Sequence, residues 1–189
     1  MTIPVLWLYG ADAVGKSTVA WEIYDRVTSA GRHAAYVDTD YLGFCSAVTR
    51  ESSADLVAAN LAAIWPNFAA SGATCLVVAG VVVTTEQRAL YESSIPDASL
   101  TLCRLRARPE TQACRILRRS QAEGLESDGG VSGLTEEHLR DYAEQSAGFA
   151  ALLEANDIAD FAIETADLSI PEVARAVLSQ AGAVWTGVI

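Results

Sequence analysis

The sequence lacks the surplus of positive charge that binding to nucleic acids or anionic membranes requires. It has 13 lysines and arginines against 24 aspartates and glutamates, which gives a formal net charge of -11 at pH 7. Phosphate backbones and anionic lipids are held by basic surfaces. The charge therefore argues against nucleic acid or a membrane as a partner, and it makes the few basic residues informative.

Cysteines are few, and their spacing matches no common framework. The four of them, Cys45, Cys75, Cys103 and Cys114, form no C-x-x-C pair and fit neither a zinc site nor a disulfide pattern. We expect reduced thiols of a cytosolic protein, with Cys75 and Cys103 in the core because each lies in an apolar run.

Long hydrophobic runs and a basic leader are also missing. The most apolar stretch, CLVVAGVVV over 75–83, is far shorter than the ~20 residues of a membrane-spanning helix. The N-terminal apolar run leads directly into a glycine loop without a basic segment before it. We therefore expect a soluble, cytoplasmic protein, and a length of 189 residues suits one domain over 1–189.

Strand-like and helix-like segments alternate along the chain. Apolar runs rich in β-formers predict strands over 4–9, 34–40, 75–83, 98–107 and 160–166. Apolar periodicity and capping residues predict helices over 16–31, 53–72, 109–124, 135–156 and 170–182, and a short one opened by Thr84 and Gln87. Pro66 should bend or break the helix over 53–72. Such alternation implies one α/β domain with a parallel sheet.

The stretch LYGADAVGKST contains a phosphate-binding motif. Gly10, Gly15, Lys16 and Ser17 fit G-x-x-x-x-G-K-[ST], with a predicted strand before the motif and a predicted helix after it. The glycines allow a tight loop whose N–H groups converge on phosphate oxygens at the start of a helix. Lys16 can bridge the terminal phosphates, and the hydroxyl of Ser17 can bind Mg²⁺. The segment predicts binding of a nucleoside triphosphate with magnesium.

The residues around the later strands narrow the class of nucleotide protein. The guanine-reading N-K-x-D of GTP switch proteins is missing, and the third predicted strand carries no acid to hold magnesium. The nearest carboxylates are Asp38 and Asp40, at the carboxyl end of the second strand, where parallel sheets bind ligands. One of them could support the metal and the other could accept a proton from an attacking hydroxyl. The alternative is that they form a turn or cap a helix.

The motifs GADAVGKS, DTD and CRILRR, in this order and spacing, resemble small-molecule and nucleotide kinases of the P-loop superfamily. The most similar branch contains shikimate kinase, gluconate kinase and chloramphenicol phosphotransferase. The resemblance implies a three-layer α/β fold with a five-stranded parallel sheet in the order 2-3-1-4-5. It further implies a small lid at about 118–134 and transfer of the γ-phosphate of ATP, with Mg²⁺, to a hydroxyl of a small molecule.

The resemblance also assigns roles to the matching residues. Lys16 would contact phosphate, Asp38 would hold magnesium together with Ser17, and Asp40 would bind the acceptor hydroxyl as the base. The loop residues implied in binding ATP are Gly10, Ala13, Val14, Gly15, Lys16, Ser17 and Thr18.

Two arginines of CRILRR match an R-x-x-x-R pattern that leads into the lid of adenylate-kinase-like members. The resemblance implies that Arg115 stacks over adenine and that Arg119 reaches the transferring phosphate, a role that the adjacent Arg118 could take instead. Independently of the family, a guanidinium fork stabilises the charge that spreads over phosphate oxygens during transfer. The same residues could simply form a solvated basic face.

The acceptor is the least determined part of the prediction. The turn at Ala79–Gly80 lacks the G-G-G of shikimate kinases, and the lid has no R-P-L-L, which argues against shikimate. The region over 41–72, where the family binds its acceptor, is apolar and aromatic, with Tyr41 and Arg50 as candidate contacts. We therefore expect an acceptor with an apolar or ring-bearing body, such as an antibiotic or other specialised metabolite.

A nucleotide kinase, or an ATP-binding or ATP-hydrolysing protein without an acceptor, is the alternative. The oligomeric state is left open.

Overall fold

Five parallel strands form the centre of the molecule. The computed structural model describes residues 2–47, 53–121 and 135–186. The strands pair in the order β2-β3-β1-β4-β5, which confirms the predicted order. The strand β1 lies between β3 and β4. The chain runs to one side of β1 for β2 and β3 and to the other side for β4 and β5, so the loop after β1 lies at the point where the strand order changes direction. The strands are β1 (Ile3–Tyr9), β2 (Ala34–Asp38), β3 (Cys75–Ala79), β4 (Ala98–Arg106) and β5 (Phe161–Glu164).

Helices cover both faces of the sheet and complete a three-layer α/β fold. Side chains of β1 alternate between the two faces, because successive residues of a strand point to opposite sides. Trp7 and Tyr9 pack with α2, α3 and α5, whereas Leu6 and Leu8 pack with α1, α6 and α7. The helices are α1 (Lys16–Ser29), α2 (Ser53–Ala70), α3 (Thr85–Ser94), α4 (Pro109–Gln121), α5 (Glu136–Asn156), α6 (Ile170–Gln180) and α7 (Ala183–Thr186).

Four of the five strands end earlier than predicted, and the ends of β2 and β3 shape the edge of the sheet where the phosphate loop lies. β2 stops at Asp38 because its carboxylate accepts a hydrogen bond from the Asp40 N–H, at 3.1 Å, and so starts a 3₁₀ turn over Thr39–Leu42. β3 stops at Ala79 rather than at residue 83, since Gly80 turns the chain with φ +155°. The polar turn after β2 therefore projects from the sheet toward the ligand side.

The helix α2 is continuous through Pro66, so of the two predicted effects the break is wrong, and the bend stays a prediction. Proline removes the N–H that would bond to the carbonyl four residues earlier. Both Pro66 and Ala62 are exposed, so the carbonyl that loses its partner is open to water. Packing of the opposite face of α2, through Leu61 and Trp65, holds the helix together.

Several other sequence-based expectations can be compared with the described residues. Cys75 and Cys103 are buried as expected, whereas Cys45 and Cys114 are exposed. The predicted helix over 109–124 is described as far as Gln121, and most of the predicted lid lies outside the described residues. Within the described ranges, none of the helices is long and apolar enough to cross a membrane.

The short helix α7 had no signal in the sequence, yet it completes the core. Trp185 is only 1% exposed and packs among residues of α1 and α6. The guanidinium of Arg32 lies 5.3 Å from the centre of its ring and donates a hydrogen bond to the Val184 carbonyl. A buried aromatic ring with a cation over its face fixes this end of the chain on the domain.

We expect Trp185→Ala to lower the free energy of unfolding by about 3–5 kcal/mol, because it removes a large buried side chain and leaves a cavity. The neighbouring Val184 is 53% exposed, so Val184→Ala should change it by no more than about 0.5 kcal/mol. Urea unfolding followed by fluorescence measures both. Equal effects of the two substitutions would show that Trp185 is not part of the core.

Candidate active site

The loop between β1 and α1 has the backbone of an anion-binding loop. Gly10 is required at its start, since a Cβ there would lie 2.3 Å from the Leu105 carbonyl oxygen. Ala13 and Gly15 have left-handed backbone conformations, with φ of 59° and 95°. Gly15 is also the N-cap of α1, so the first N–H groups of this helix have no side-chain cap. Free amides and the positive end of the helix dipole favour a negatively charged ligand here.

Side chains bind three consecutive carbonyl groups of this loop. Lys16 is 8% exposed, and its Nζ donates to the Ala11 carbonyl at 3.1 Å. From α4, Gln112 Nε2 donates to the Asp12 carbonyl at 3.1 Å, and Arg115 Nη1 donates to the Ala13 carbonyl at 3.2 Å. These hydrogen bonds fix the directions of the three carbonyls.

The two aspartates of DTD lie on the 3₁₀ turn after β2. The capping alternative holds for Asp38, because its Oδ1 accepts from the Asp40 N–H at 3.1 Å. Thr39 between them is buried, and its hydroxyl donates to the Ala79 carbonyl at 3.2 Å. Gly80 packs against Thr39, so the end of β3 supports the turn that carries both carboxylates.

The environment of Asp40 favours its protonated form. Asp40 is exposed, but the protein atoms around its carboxyl partly desolvate it and raise its pKa. The ammonium of Lys16 lowers the pKa in opposition, and the carboxylates of Asp38 and Asp12 raise it further. A carboxylate with a raised pKa is a stronger proton acceptor, as a general base requires. The structure thus brings together Lys16, Asp38 and Asp40 of the predicted site.

Tyr36 on β2 connects the two residues predicted to bind magnesium. Burial raises the pKa of its hydroxyl, as do the charge of Asp38 and a hydrogen bond with it, whereas a hydrogen bond with Ser17 lowers it. The Ser17 hydroxyl and the Asp38 carboxylate therefore lie near the same phenol group. These are oxygen ligands of the kind that Mg²⁺ binds, with water and phosphate oxygens as the rest. No cluster of three or more His, Cys, Asp or Glu side chains suited to a metal occurs among the described residues.

The arginines of α4 lie on the other side of the loop. The guanidinium of Arg115 joins the loop to the end of β5, with Nη1 3.0 Å from Thr165 Oγ1 and Nη2 2.8 Å from the Thr165 carbonyl oxygen. Arg119 is partly buried and Arg118 is exposed. The predicted contacts of these residues with adenine and phosphate stay predictions.

Tyr142 on α5 faces the same cleft. Burial raises the pKa of its hydroxyl to about 12, the charge of Asp12 and a hydrogen bond with it raise it as well, and Arg119 lowers it. The charge of Asp40 also raises the pKa of the Tyr142 hydroxyl. The helix α5 also packs on the loop through a small cluster of Ala13, Leu139 and Tyr142. Arg119 therefore lies near Tyr142.

The predicted acceptor region divides into an exposed part and a core part. Tyr41 is 64% exposed, and its ring lies edge-on to that of Phe44, with 6.3 Å between the ring centres. Trp65 is buried in the core and Phe68 packs against the same core, so neither is available to an acceptor. Packing against the core formed with β1 and β3 explains why Trp65 and Phe68 occur in this region. Arg50 lies outside the described residues.

Four side chains at the site were missed in the sequence analysis: Tyr36, Gln112, Tyr142 and Thr165. Each is brought to the loop by the packing of a distant element. For Gln112 a weak signal existed, since it stands one turn before Arg115 and therefore shares its face of the helix.

The fold is shared with known small-molecule kinases. The chain is similar to a gluconokinase from Sinorhizobium meliloti 1021, at 16% identity and a TM-score of 0.61 over 97% of this chain and 94% of that one. It is similar to the APS kinase of Mycobacterium tuberculosis, solved with AMPPNP and APS, at 18% identity and a TM-score of 0.62 over 95% and 97%. It is also similar to the tunicamycin resistance protein of Deinococcus radiodurans, at 17% identity and a TM-score of 0.56 over 95% and 96%. No protein-family model matches the chain, and no curated protein matches it. At such identities the similarity shows the fold.

Proposed function

We propose that the protein is an ATP- and Mg²⁺-dependent phosphotransferase that moves the γ-phosphate of ATP to a hydroxyl of a small molecule. The observation that carries the proposal is the position of Asp40, a carboxyl of raised pKa near the phosphate-loop lysine, Lys16. A carboxyl at this point can take the proton of an acceptor hydroxyl, as transfer of the phosphate to that hydroxyl requires. The kinase fold of the similar structures supports the same conclusion.

In the proposed reaction the acceptor hydroxyl attacks the γ-phosphorus in line with the leaving group. The new oxygen–phosphorus bond forms while the bond to the β–γ bridging oxygen breaks, and ADP leaves with the electron pair. Asp40 takes the hydroxyl proton. Lys16 and Arg119 stabilise the negative charge on the transferring group.

Mg²⁺, when bound, would neutralise charge on the β- and γ-phosphates. The Ser17 hydroxyl and the Asp38 carboxylate are the groups of this chain that would hold it, and the Tyr36 hydroxyl next to both would orient them. The Asp38 oxygen that caps the turn also fixes this carboxylate relative to Asp40.

The acceptor that fits this surface has an apolar or ring-bearing body. Tyr41 directly follows Asp40, Phe44 lies three residues further on, and this exposed pair offers aromatic surface close in the chain to the proposed base. One protein of the same fold is a tunicamycin resistance protein, which supports an antibiotic or another specialised metabolite as the acceptor.

The test is a screen for ADP release by the purified protein with ATP and Mg²⁺. The candidate acceptors are nucleotides, sugars, organic acids and hydroxylated antibiotics, and the product is identified by mass spectrometry as acceptor plus phosphate. The Lys16→Met variant, purified in the same way, measures the background of contaminating kinases. The proposal predicts release that depends on one acceptor class. Slow release without any acceptor, insensitive to Asp38→Asn and Asp40→Asn, would instead establish an ATPase.

A further inference from the structure

Gln112 is a buried polar residue at the phosphate loop that the proposed mechanism does not use. It is 1% exposed, stands in the first turns of α4, and donates from Nε2 to the Asp12 carbonyl at 3.1 Å. We infer that Gln112 is a positioning residue for triphosphate binding, which acts by fixing the orientation of the Asp12–Ala13 peptide. This inference rests on the proposed function.

The planarity of the peptide bond connects this contact to the ligand side of the loop. In a trans peptide the carbonyl and the following N–H point in opposite directions. A donor that fixes the direction of the Asp12 carbonyl therefore also fixes the direction of the Ala13 N–H, one of the loop amides that would bind phosphate oxygens. The Ala13 residue has φ 59°, a conformation that a residue with a Cβ rarely adopts without support.

Gln112 differs from the two donors on either side of it. Lys16 holds the Ala11 carbonyl, and it must leave this carbonyl to reach the phosphates of ATP. Arg115 holds the Ala13 carbonyl but shares its guanidinium with Thr165. Gln112 is uncharged and fully enclosed, so its contact with the loop persists when the ligand binds.

Packing alone does not account for an amide at this position. The Gln112 Oε1 accepts no hydrogen bond from the described residues, and the side chain borders a cavity of about 280 Å³ between α4, α5 and the end of β4. A methionine has nearly the same length and shape, and it would fill this space without burying an amide group. The hydrogen bond to the Asp12 carbonyl is what the amide adds.

The experiment compares the binding of ATP, inorganic tripolyphosphate and adenosine by calorimetry. In Gln112→Met the affinity for ATP and for tripolyphosphate should fall about tenfold, the effect of losing one buried hydrogen bond, while adenosine binding stays unchanged. Gln112→Glu should lose more at a pH high enough to ionise the buried carboxyl, because a carboxylate oxygen would then face the Asp12 carbonyl, whereas the protonated form could still donate to it. The matched control is Gln145→Met on the exposed face of α5, which should bind all three ligands like the wild type.

Each result of this experiment separates the inference from the proposed function. If the wild type binds ATP and Gln112→Met binds it equally well, the inference is wrong and the proposed function stands. Equal losses for ATP and adenosine, together with a lower melting temperature, would show that Gln112 only stabilises the fold. If Gln112→Met does not fold, Gln112→Glu decides, since wild-type affinity in that variant with its carboxyl ionised contradicts the inference. A wild type that binds neither ATP nor tripolyphosphate overturns both the proposed function and the inference.

Discussion

Asp40→Asn is expected to lower kcat for phosphoryl transfer by about 10²–10⁴-fold, the contribution of a positioned general base, and to leave ATP affinity nearly unchanged. Asparagine keeps the size of the side chain but cannot accept the hydroxyl proton. In the wild type, the acid limb of the pH profile should lie above the ordinary aspartate pKa of 3.8, because burial raises the pKa of Asp40. Steady-state kinetics across pH, with the acceptor found in the ADP-release screen, measures both effects.

The companion substitution Asp38→Asn separates the two carboxylates. If Asp38 supports the metal, its loss should raise the Mg²⁺ concentration needed for half-maximal rate, and saturating Mg²⁺ should restore much of the activity. Full activity of Asp40→Asn would show that it is not the base. Loss of transfer in Asp38→Asn at saturating Mg²⁺, with Asp40→Asn active, would reverse the two roles.

The same Asp40→Asn substitution should stabilise the protein at neutral pH. The pKa of Asp40 is raised in the folded state, so the folded protein binds this proton more tightly than the unfolded chain does. Stability from this group is therefore present below pH 3.8 and is lost as pH rises through the folded-state pKa. Urea unfolding at pH 7 should show Asp40→Asn as more stable than the wild type, with no gain at the acid end of the range.

The control for this stability effect is Asp25→Asn, which removes one negative charge from an exposed position on α1. This variant measures how much stability the protein gains simply from losing one negative charge, because a chain of net charge -11 repels itself. A gain in Asp40→Asn no larger than that in Asp25→Asn would contradict the raised pKa. A larger gain, paired with lost activity, would mean that the proposed base is maintained at a cost to stability.

Gly80→Ala is expected to lower kcat/KM by about 10²-fold, since displacing a reacting group by about 1 Å has an effect of this size. A Cβ at Gly80 would lie 1.7 Å from Thr39 Oγ1 and 3.0 Å from Thr39 Cβ. Thr39 is buried between Asp38 and Asp40, so the 3₁₀ turn must move away from β3 and carry both carboxylates with it. Overpacking of this kind should also reduce the free energy of unfolding by about 1–3 kcal/mol.

A second substitution at Thr39 tests this cause directly. In the double variant Gly80→Ala with Thr39→Ala, the closest atom is gone, and part of the activity should return. Thr39→Val in the same background places a methyl group where the hydroxyl was, so it should not restore activity. Recovery with valine as good as with alanine would point to a different origin, and wild-type activity of Gly80→Ala would contradict the steric argument altogether. The coupling is read as a double-mutant cycle.

Local patterns were sufficient to predict much of the fold. The strand–loop–helix around Lys16 has a fixed spacing, and the apolar strands alternate with amphipathic helices, so the three-layer fold and the strand order followed once the family resemblance was recognised. The strand β2 was predicted too, but its end was placed two residues too far along, because Asp38 caps a 3₁₀ turn instead of continuing the strand. The predicted break at Pro66 failed because tertiary packing of α2 outweighs one missing hydrogen bond.

Residues close together in the chain were enough to identify the donor side of this protein: the loop proposed to bind a triphosphate, the sheet that presents it and the two carboxylates beside it. The chemistry and spacing of these residues carry the signal. What surrounds the loop depends on the packing of distant elements. Gln112 and Tyr142 reach it from α4 and α5, about 100 and 130 residues further along the chain, and Tyr36 on β2 reaches Ser17 at the start of α1. Such contacts follow from how helices pack on a sheet, and no local pattern encodes them.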